Sequence, residues 1–181
     1  TSQTNGINKN YDALVDRQRD AIQICFICDD GYAMYTNIAV TSIIENKESD
    51  TKYDIYIIAS NLSEQNIASF KTLAQKDIGI SIIQINDFNK YDHLYKKGFP
   101  VTTTAIFKFD LPSLLPKLDK VLYLDGDIIV QHGLQNLYKT DINSVYAGVI
   151  SDYRGQTLKG NYKSRLNTNN KIYFNSGVLL L

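Results

Sequence analysis

Histidine and cysteine are scarce in this chain of 181 residues, with two of each. Structural zinc centres take four such ligands, usually as spaced pairs. Cys25 and Cys28 form one C-x-x-C, but His93 and His132 stand apart and supply no second pair. The cysteines also fall inside the apolar run 21–28 rather than at a helix start, which argues against a redox pair. They read as two buried reduced thiols, a state that fits a reducing compartment. His132 reads as a surface residue. Excess charge is missing too: 19 Lys and Arg balance 19 Asp and Glu. That removes the electrostatic argument for nucleic acid or a membrane-surface patch. No apolar run approaches the roughly 20 residues that cross a bilayer, and no secretory signal is visible. What is left is 44% hydrophobic and 21% charged residues, ordinary values for a globular domain with a substantial core.

The most informative stretch present is Val121-Leu122-Tyr123-Leu124-Asp125-Gly126-Asp127-Ile128-Ile129-Val130. Two apolar runs flank two carboxylates, and runs of this kind read as buried strand. Residues two apart on a strand point the same way, so Asp125 and Asp127 are expected to converge at a strand end. Adjacent carboxylates repel unless a cation sits between them. Oxygen ligands suit Mg²⁺ or Mn²⁺. Gly126, without a side chain, leaves room for a ligand to approach the backbone. Asp-Gly between apolar residues is equally a hairpin signal, so the remaining chain has to decide.

Residues 1–20 are polar and read as a leader or linker, with a short helix near Tyr11 to Arg19. Strands are expected at 21–28, 53–59, 80–85, 121–130 and 144–151, with a last apolar segment over 172–181. Helices are expected at 33–46, with Ile38, Ser42 and Ile43 on one face, and from Ser63 as a cap through Ile67, Phe70, Leu73 and Ala74. Another helix, around 105–109, should stop near Pro112 or Pro116. Residues 87–99 and 153–170 read as loops, and 133–138 as a short turn or helix. Alternation of strand and helix means an α/β sandwich with a mostly parallel sheet. Ligands bind such sheets at the carboxyl ends of the strands. Both Asp29-Asp30 and Asp125-Asp127 fall at such ends, which favours a site over a hairpin. The chain ends within the apolar run Leu179-Leu180-Leu181, so it is expected to be C-terminally truncated.

Four segments, in order, resemble family 8 glycosyltransferases, retaining enzymes of lipopolysaccharide galactosyltransferase and glycogenin type. They are Cys28-Asp29-Asp30-Gly31-Tyr32, Thr103 to Pro116, Val121 to Asp127 with its D-x-D, and Tyr173-Phe174-Asn175-Ser176-Gly177-Val178-Leu179-Leu180. The resemblance implies a GT-A fold, a Rossmann-like α/β/α sandwich over 21–181. It implies transfer of a hexose, glucose or galactose, from a UDP-sugar to a glycan, lipid-linked or glycoprotein acceptor with retention. Mn²⁺ or Mg²⁺ would be the cofactor, held by Asp125 and Asp127 beside Gly126. Tyr32 would stack on uracil, and Asp29, next to Cys28, would accept its N–H. Asp30 would reach the ribose or order the turn, or else cap the helix beginning at Ala33. Asn175 and Ser176 would face the donor sugar. Asp152 matches an acidic residue that contacts the sugar, and Asp152 and Asn175 are the candidate catalytic groups. The family's donor-contacting arginine is matched by Ile106. Lys108, two residues on, remains a candidate donor contact, though helical geometry points it elsewhere. The family's third metal ligand, a histidine, lies beyond Leu181, so the chain as given is expected to bind weakly and turn over little. The resemblance also implies bacterial surface glycan synthesis, in the cytoplasm or at the inner membrane face, with an oligomer possible.

Two other readings of the acidic motifs fail on spacing. A haloacid-dehalogenase-type phosphatase uses a similar motif, but near its start and with a later lysine and acidic pair, and no suitable acidic pair follows here. A receiver domain needs an aspartate ending a later strand, where this chain has Ala59-Ser60-Asn61. A non-catalytic nucleotide-sugar-binding or partner module remains the alternative, and release of sugar from a UDP-sugar separates it from an enzyme.

Overall fold

The computed structural model describes residues 11–13, 20–85, 106–152 and 174–181. The loops expected at 87–99 and 153–170, with Thr103, Thr104, His93 and Tyr173, lie outside the described residues. Among the described residues seven strands form one sheet: β1 (Tyr11–Ala13), β2 (Ile22–Asp29), β3 (Tyr53–Ser60), β4 (Ile78–Gln84), β5 (Leu122–Leu124), β6 (Gly148–Ser151) and β7 (Phe174–Leu180). Their order is β1-β4-β3-β2-β5-β7-β6. The central four, β4-β3-β2-β5, are parallel. Helix α1 (Ala33–Glu45) joins β2 to β3 and α2 (Glu64–Lys71) joins β3 to β4. These are the crossovers that parallel neighbours require. On one side β7 runs antiparallel between β5 and β6. The expected α/β sandwich with a sheet parallel at its centre is therefore present.

Two core clusters cover the two faces. Along β2 the side chains alternate: Ile22, Ile24, Phe26 and Cys28 enter the cluster that includes Val40 and Ile43 of α1 and Phe70 of α2. Cys25 and Ile27 enter the other, with Tyr123, Phe107, Leu111 and Leu114. This is period-two patterning on a strand buried on both sides. The two thiols thus belong to opposite faces. Both are free and buried, as expected.

Several local expectations are corrected. Tyr11–Ala13 is strand, not helix, and pairs antiparallel with Ser81–Ile83. It covers backbone groups that β4 would otherwise leave open at the sheet edge. The strand expected over 121–130 ends at Leu124. The second apolar run passes beneath α1 instead. There Val130 is buried; its N–H donates to Ser42 Oγ at 2.9 Å, and its carbonyl accepts from Asn46 Nδ2 at 3.0 Å. The buried face of α1 is Ala33, Thr36, Ala39, Val40 and Ile43, while Ile38 is exposed. Small residues let the helix lie close to the sheet. The helical segment ends at Leu114, just before Pro116, one of the two stops expected, while Pro112 lies inside it. A 3₁₀ turn, Phe107–Asp110, leads into α3 (Leu111–Leu114) with Pro112 in its first turn, where its missing N–H costs nothing. Helix α4 (Gln135–Tyr138) and the exposed His132 agree with expectation. β6 is shorter than expected, since 144–147 are turn and bend.

Candidate active site

Strands β2 and β5 are parallel neighbours, so the turns that follow them share one sheet edge. The first is Asp29 to Tyr32. The Tyr32 N–H donates to Asp29 Oδ1 at 3.0 Å, bracing the turn ahead of α1, whose N-terminus has no side-chain cap of its own. One Asp29 oxygen is thereby used locally. Tyr32 is half-exposed, and its ring lies tilted against Tyr35 with centroids 5.5 Å apart. An exposed, braced ring in that position suits stacking on a planar base. Cys28 lies buried beneath the turn, its thiol pushed up by burial to about 12.

Asp30 does something that sequence did not show. Its carboxylate accepts from the Ser63 N–H at 2.7 Å and from Asn66 Nδ2 at 2.7 Å. It caps α2 rather than α1. Ser63 adds the cap anticipated for it, accepting from the Asn66 N–H at 3.3 Å. These donors hold the Asp30 carboxyl below its ordinary range, the Ser63 backbone N–H contributing most. A carboxylate engaged this way orders the turn, one of the roles anticipated for it.

The second turn carries Asp125, Gly126 and Asp127. Asp125 continues the ladder, its N–H donating to the Gly177 carbonyl at 2.8 Å. Its Oδ1 accepts from the Tyr123 hydroxyl at 2.6 Å. Burial first, and then the Asp125 charge, raise Tyr123 far above a normal phenol, so it stays a donor. Asp127 is exposed. The two aspartates thus share a turn rather than the pleat of a strand. At Gly126 the group that comes close is no ligand: an added Cβ would overlap the hydroxyl of Thr36.

Lys108 was expected to point away and instead points in. Its side chain is buried; Nζ lies 3.4 Å from Asp125 Oδ1, 3.2 Å from the Ser176 carbonyl and 3.4 Å from Ser176 Oγ. It also sits 4.8 Å from the centroid of the Tyr123 ring, a cation–π distance. The 3₁₀ turn, rather than an α-helix, sets this direction. Ile106 caps that turn and is only partly buried.

Asn175 and Ser176 are exposed on β7. Asn175 Oδ1 accepts from the Gly177 N–H at 2.7 Å. A Cβ on Gly177 would lie 2.6 Å from Asp125 Oδ2 and 2.9 Å from Asn175 Oδ1, so the missing side chain brings both oxygens against β7. Asp152 directly follows β6 at the same sheet edge. Among the described residues no group of three His, Cys, Asp or Glu side chains could hold a metal ion. Mg²⁺ and Mn²⁺ bind few protein carboxylates and complete their shell with water and phosphate oxygens. Asp125 and Asp127 fit that pattern as part of a shell, with Asp125 Oδ2 the oxygen that neither Tyr123 nor Lys108 takes.

A cleft of about 430 Å³, lined by Asp50, Lys52, Gln135 and Tyr138 among others, holds none of these groups. Among the described residues no helix is long and apolar enough to cross a membrane.

Comparison with known proteins agrees with this arrangement. The chain is 27% identical over 166 residues to a lipopolysaccharide 1,2-glucosyltransferase of Escherichia coli, covering 91% of this chain and 48% of the relative. It is 32% identical over 119 residues to glycosyltransferase 8 domain-containing protein 1 of Xenopus laevis, covering 62% of this chain and 31% of the relative. Among solved structures it resembles the galactosyltransferase LgtC, solved with donor and acceptor sugar analogues. That match has a TM-score of 0.78 at 28% identity and covers 88% of this chain and 57% of that one. The chain spans about half the length, or less, of the curated relatives it matches. The profile of glycosyl transferase family 8 matches residues 23–181, and with the GT-A-type sheet and its two acidic turns in place, the chain belongs to that family.

Proposed function

We propose that residues 21–181 are the nucleotide-sugar-binding part of a metal-dependent retaining glycosyltransferase. It would move a hexose from a UDP-sugar to a glycan, lipid-linked or glycoprotein acceptor. The observation that carries this reading is the pairing of β2 with β5, which sets the Asp29–Tyr32 turn beside the Asp125–Asp127 turn. One turn offers a ring and a carboxylate to a base; the other offers carboxylates to a cation on the diphosphate. A divalent ion held by Asp125 and Asp127 would act as a Lewis acid toward the charge that develops on the leaving diphosphate. Lys108, buried beside Asp125, adds a fixed positive charge at that place. Asn175 and Ser176, exposed on β7 above the same turn, supply hydrogen-bonding groups for the sugar, and Asp152 an acidic one. Relatives named for glucosyl and galactosyl transfer support a hexose donor. A nucleotide-sugar donor supports a location in the cytoplasm or at the inner membrane face.

Calorimetric titration of UDP with and without Mn²⁺ tests this, using the chain and its Asp125→Ala/Asp127→Ala variant. Metal-dependent binding that vanishes in the variant is expected. Metal-independent binding, or none to the folded wild-type chain, counts against it. The reading as a non-catalytic binding module draws on one observation: Lys108 already satisfies one Asp125 oxygen. No release of sugar from UDP-glucose or UDP-galactose by the longest folded form of the protein would favour that module.

A further inference from the structure

We infer that Thr36 is a positioning residue that clasps the Asp125–Asp127 turn through Gly126, so that a single helix, α1, sets both halves of the site. The inference deepens the reading above and rests on it for the word site. Thr36 lies in the first turns of α1 and is fully buried. Its hydroxyl has no hydrogen-bond partner among the described residues. The Cys28 thiol adjoins it, and sulfur is only a weak hydrogen-bond partner for a hydroxyl. Buried hydroxyls in a helix ordinarily turn back to a carbonyl of the preceding turn. Two others on α1 do so: Thr41 Oγ1 donates to the Asn37 carbonyl at 2.8 Å and Ser42 Oγ to the Ala39 carbonyl at 2.7 Å. Thr36 is the exception. Its N–H donates to the Tyr32 carbonyl at 3.0 Å, while its side chain faces across to the next turn of the sheet edge.

What it faces is the Cα of Gly126. A Cβ built there would overlap Thr36 Oγ1 and stand 3.3 Å from Thr36 Cβ and 3.5 Å from Thr36 Cα. The Gly126 hydrogen in that direction is therefore aimed at the threonine oxygen, a Cα–H···O contact. An orphaned hydroxyl in a core carries a desolvation penalty. Here it lies against the residue between the two aspartates. Gly126 does not adopt a positive φ, so the lack of a side chain answers to space and not to backbone conformation. Thr36 thus touches the base-side turn through its backbone and the carboxylate-side turn through its hydroxyl.

The test is a double-mutant cycle on Thr36→Ala, Gly126→Ala and the pair, with Thr36→Ser as the conservative variant. Hydrogen exchange over 125–130 and thermal unfolding are read without ligand. Affinities for uridine alone and for UDP with Mn²⁺ are read by calorimetry. Gly126→Ala should speed exchange over 125–130 and weaken UDP–Mn²⁺ binding by about tenfold or more, leaving uridine alone unaffected. Adding Thr36→Ala should restore most of the loss, because removing the threonine hydroxyl and methyl vacates the space. Thr36→Ser should match wild type. If Gly126→Ala does not fold, recovery of folding in the pair decides the matter in the same way. A Gly126→Ala chain that behaves as wild type, or a pair no better than Gly126→Ala, overturns the clasp. Should wild type bind no UDP, the functional reading fails while the exchange and unfolding data still judge the clasp.

Discussion

Lys108 Nζ lies 3.4 Å from Asp125 Oδ1, joining the 3₁₀ turn before α3 to the end of β5. The same ammonium reaches the carbonyl and hydroxyl of Ser176 on β7. One buried cation therefore ties together three segments that are far apart in sequence. It also lowers the repulsion between the two aspartates before any metal is present.

Lys108→Met should keep the aliphatic stem and remove the charge. Asp125 is 39% exposed, so water replaces part of what is lost. A stability loss of about 1–2 kcal/mol is expected, measured by urea denaturation. UDP–Mn²⁺ affinity should fall more than uridine affinity, since the charge faces the carboxylate side. Unchanged affinity for both would place Lys108 in the scaffold only.

Gly177→Ala would put a methyl 2.6 Å from Asp125 Oδ2 and 2.9 Å from Asn175 Oδ1. Both side chains must move, at a cost of about 1–3 kcal/mol. Metal-dependent UDP binding should be lost while the far-ultraviolet dichroism stays that of wild type. Retained binding would mean that neither oxygen is used.

Asp30→Asn tests the cap on α2. The folded carboxyl lies below its ordinary range because Ser63 and Asn66 donate to it. Its stabilisation is therefore fully present above the unfolded pKa, near 3.9 for aspartate, and lost as pH falls through the lower folded value. Wild type should unfold at higher temperature than Asp30→Asn at neutral pH. The gap should close as pH drops below about 4. A gap constant with pH would exclude the charge as its cause.

The thiols predict the alkaline limb. Burial raises Cys28 from 9.0 to about 12 and raises Cys25 well above the ordinary value. The folded state keeps protons that the unfolded state releases, so stability should fall as pH rises from 9 towards 12. Cys25→Ala/Cys28→Ala should flatten that slope in denaturation curves taken across the window. A disulfide reagent at about pH 8 should find no reactive thiol until the chain unfolds.

Much of the architecture was legible because it rests on local pattern. The continuous apolar run of β2, the alternation of strand with helix, and the position of both acidic pairs at strand ends all follow from residues near one another in the chain. The Ser63 cap was legible for the same reason. The roles of Asp30 and Lys108 were not. Asp30 sits directly before α1 in sequence, and only the parallel pairing of β2 with β3 brings the start of α2 within its reach. Lys108 was assigned a direction from α-helical geometry, and the chain there is a 3₁₀ turn.

By itself, then, the sequence determined the α/β alternation, the buried state of Cys25 and Cys28, and which aspartates stand at strand ends, since each depends on side-chain period and composition. Tertiary structure alone decided that β7 would insert between β5 and β6, that Lys108 would meet Asp125 and Ser176, and that Gly126 would make room for Thr36. Those contacts join residues with no common period, and packing of the whole sheet sets the distances between them.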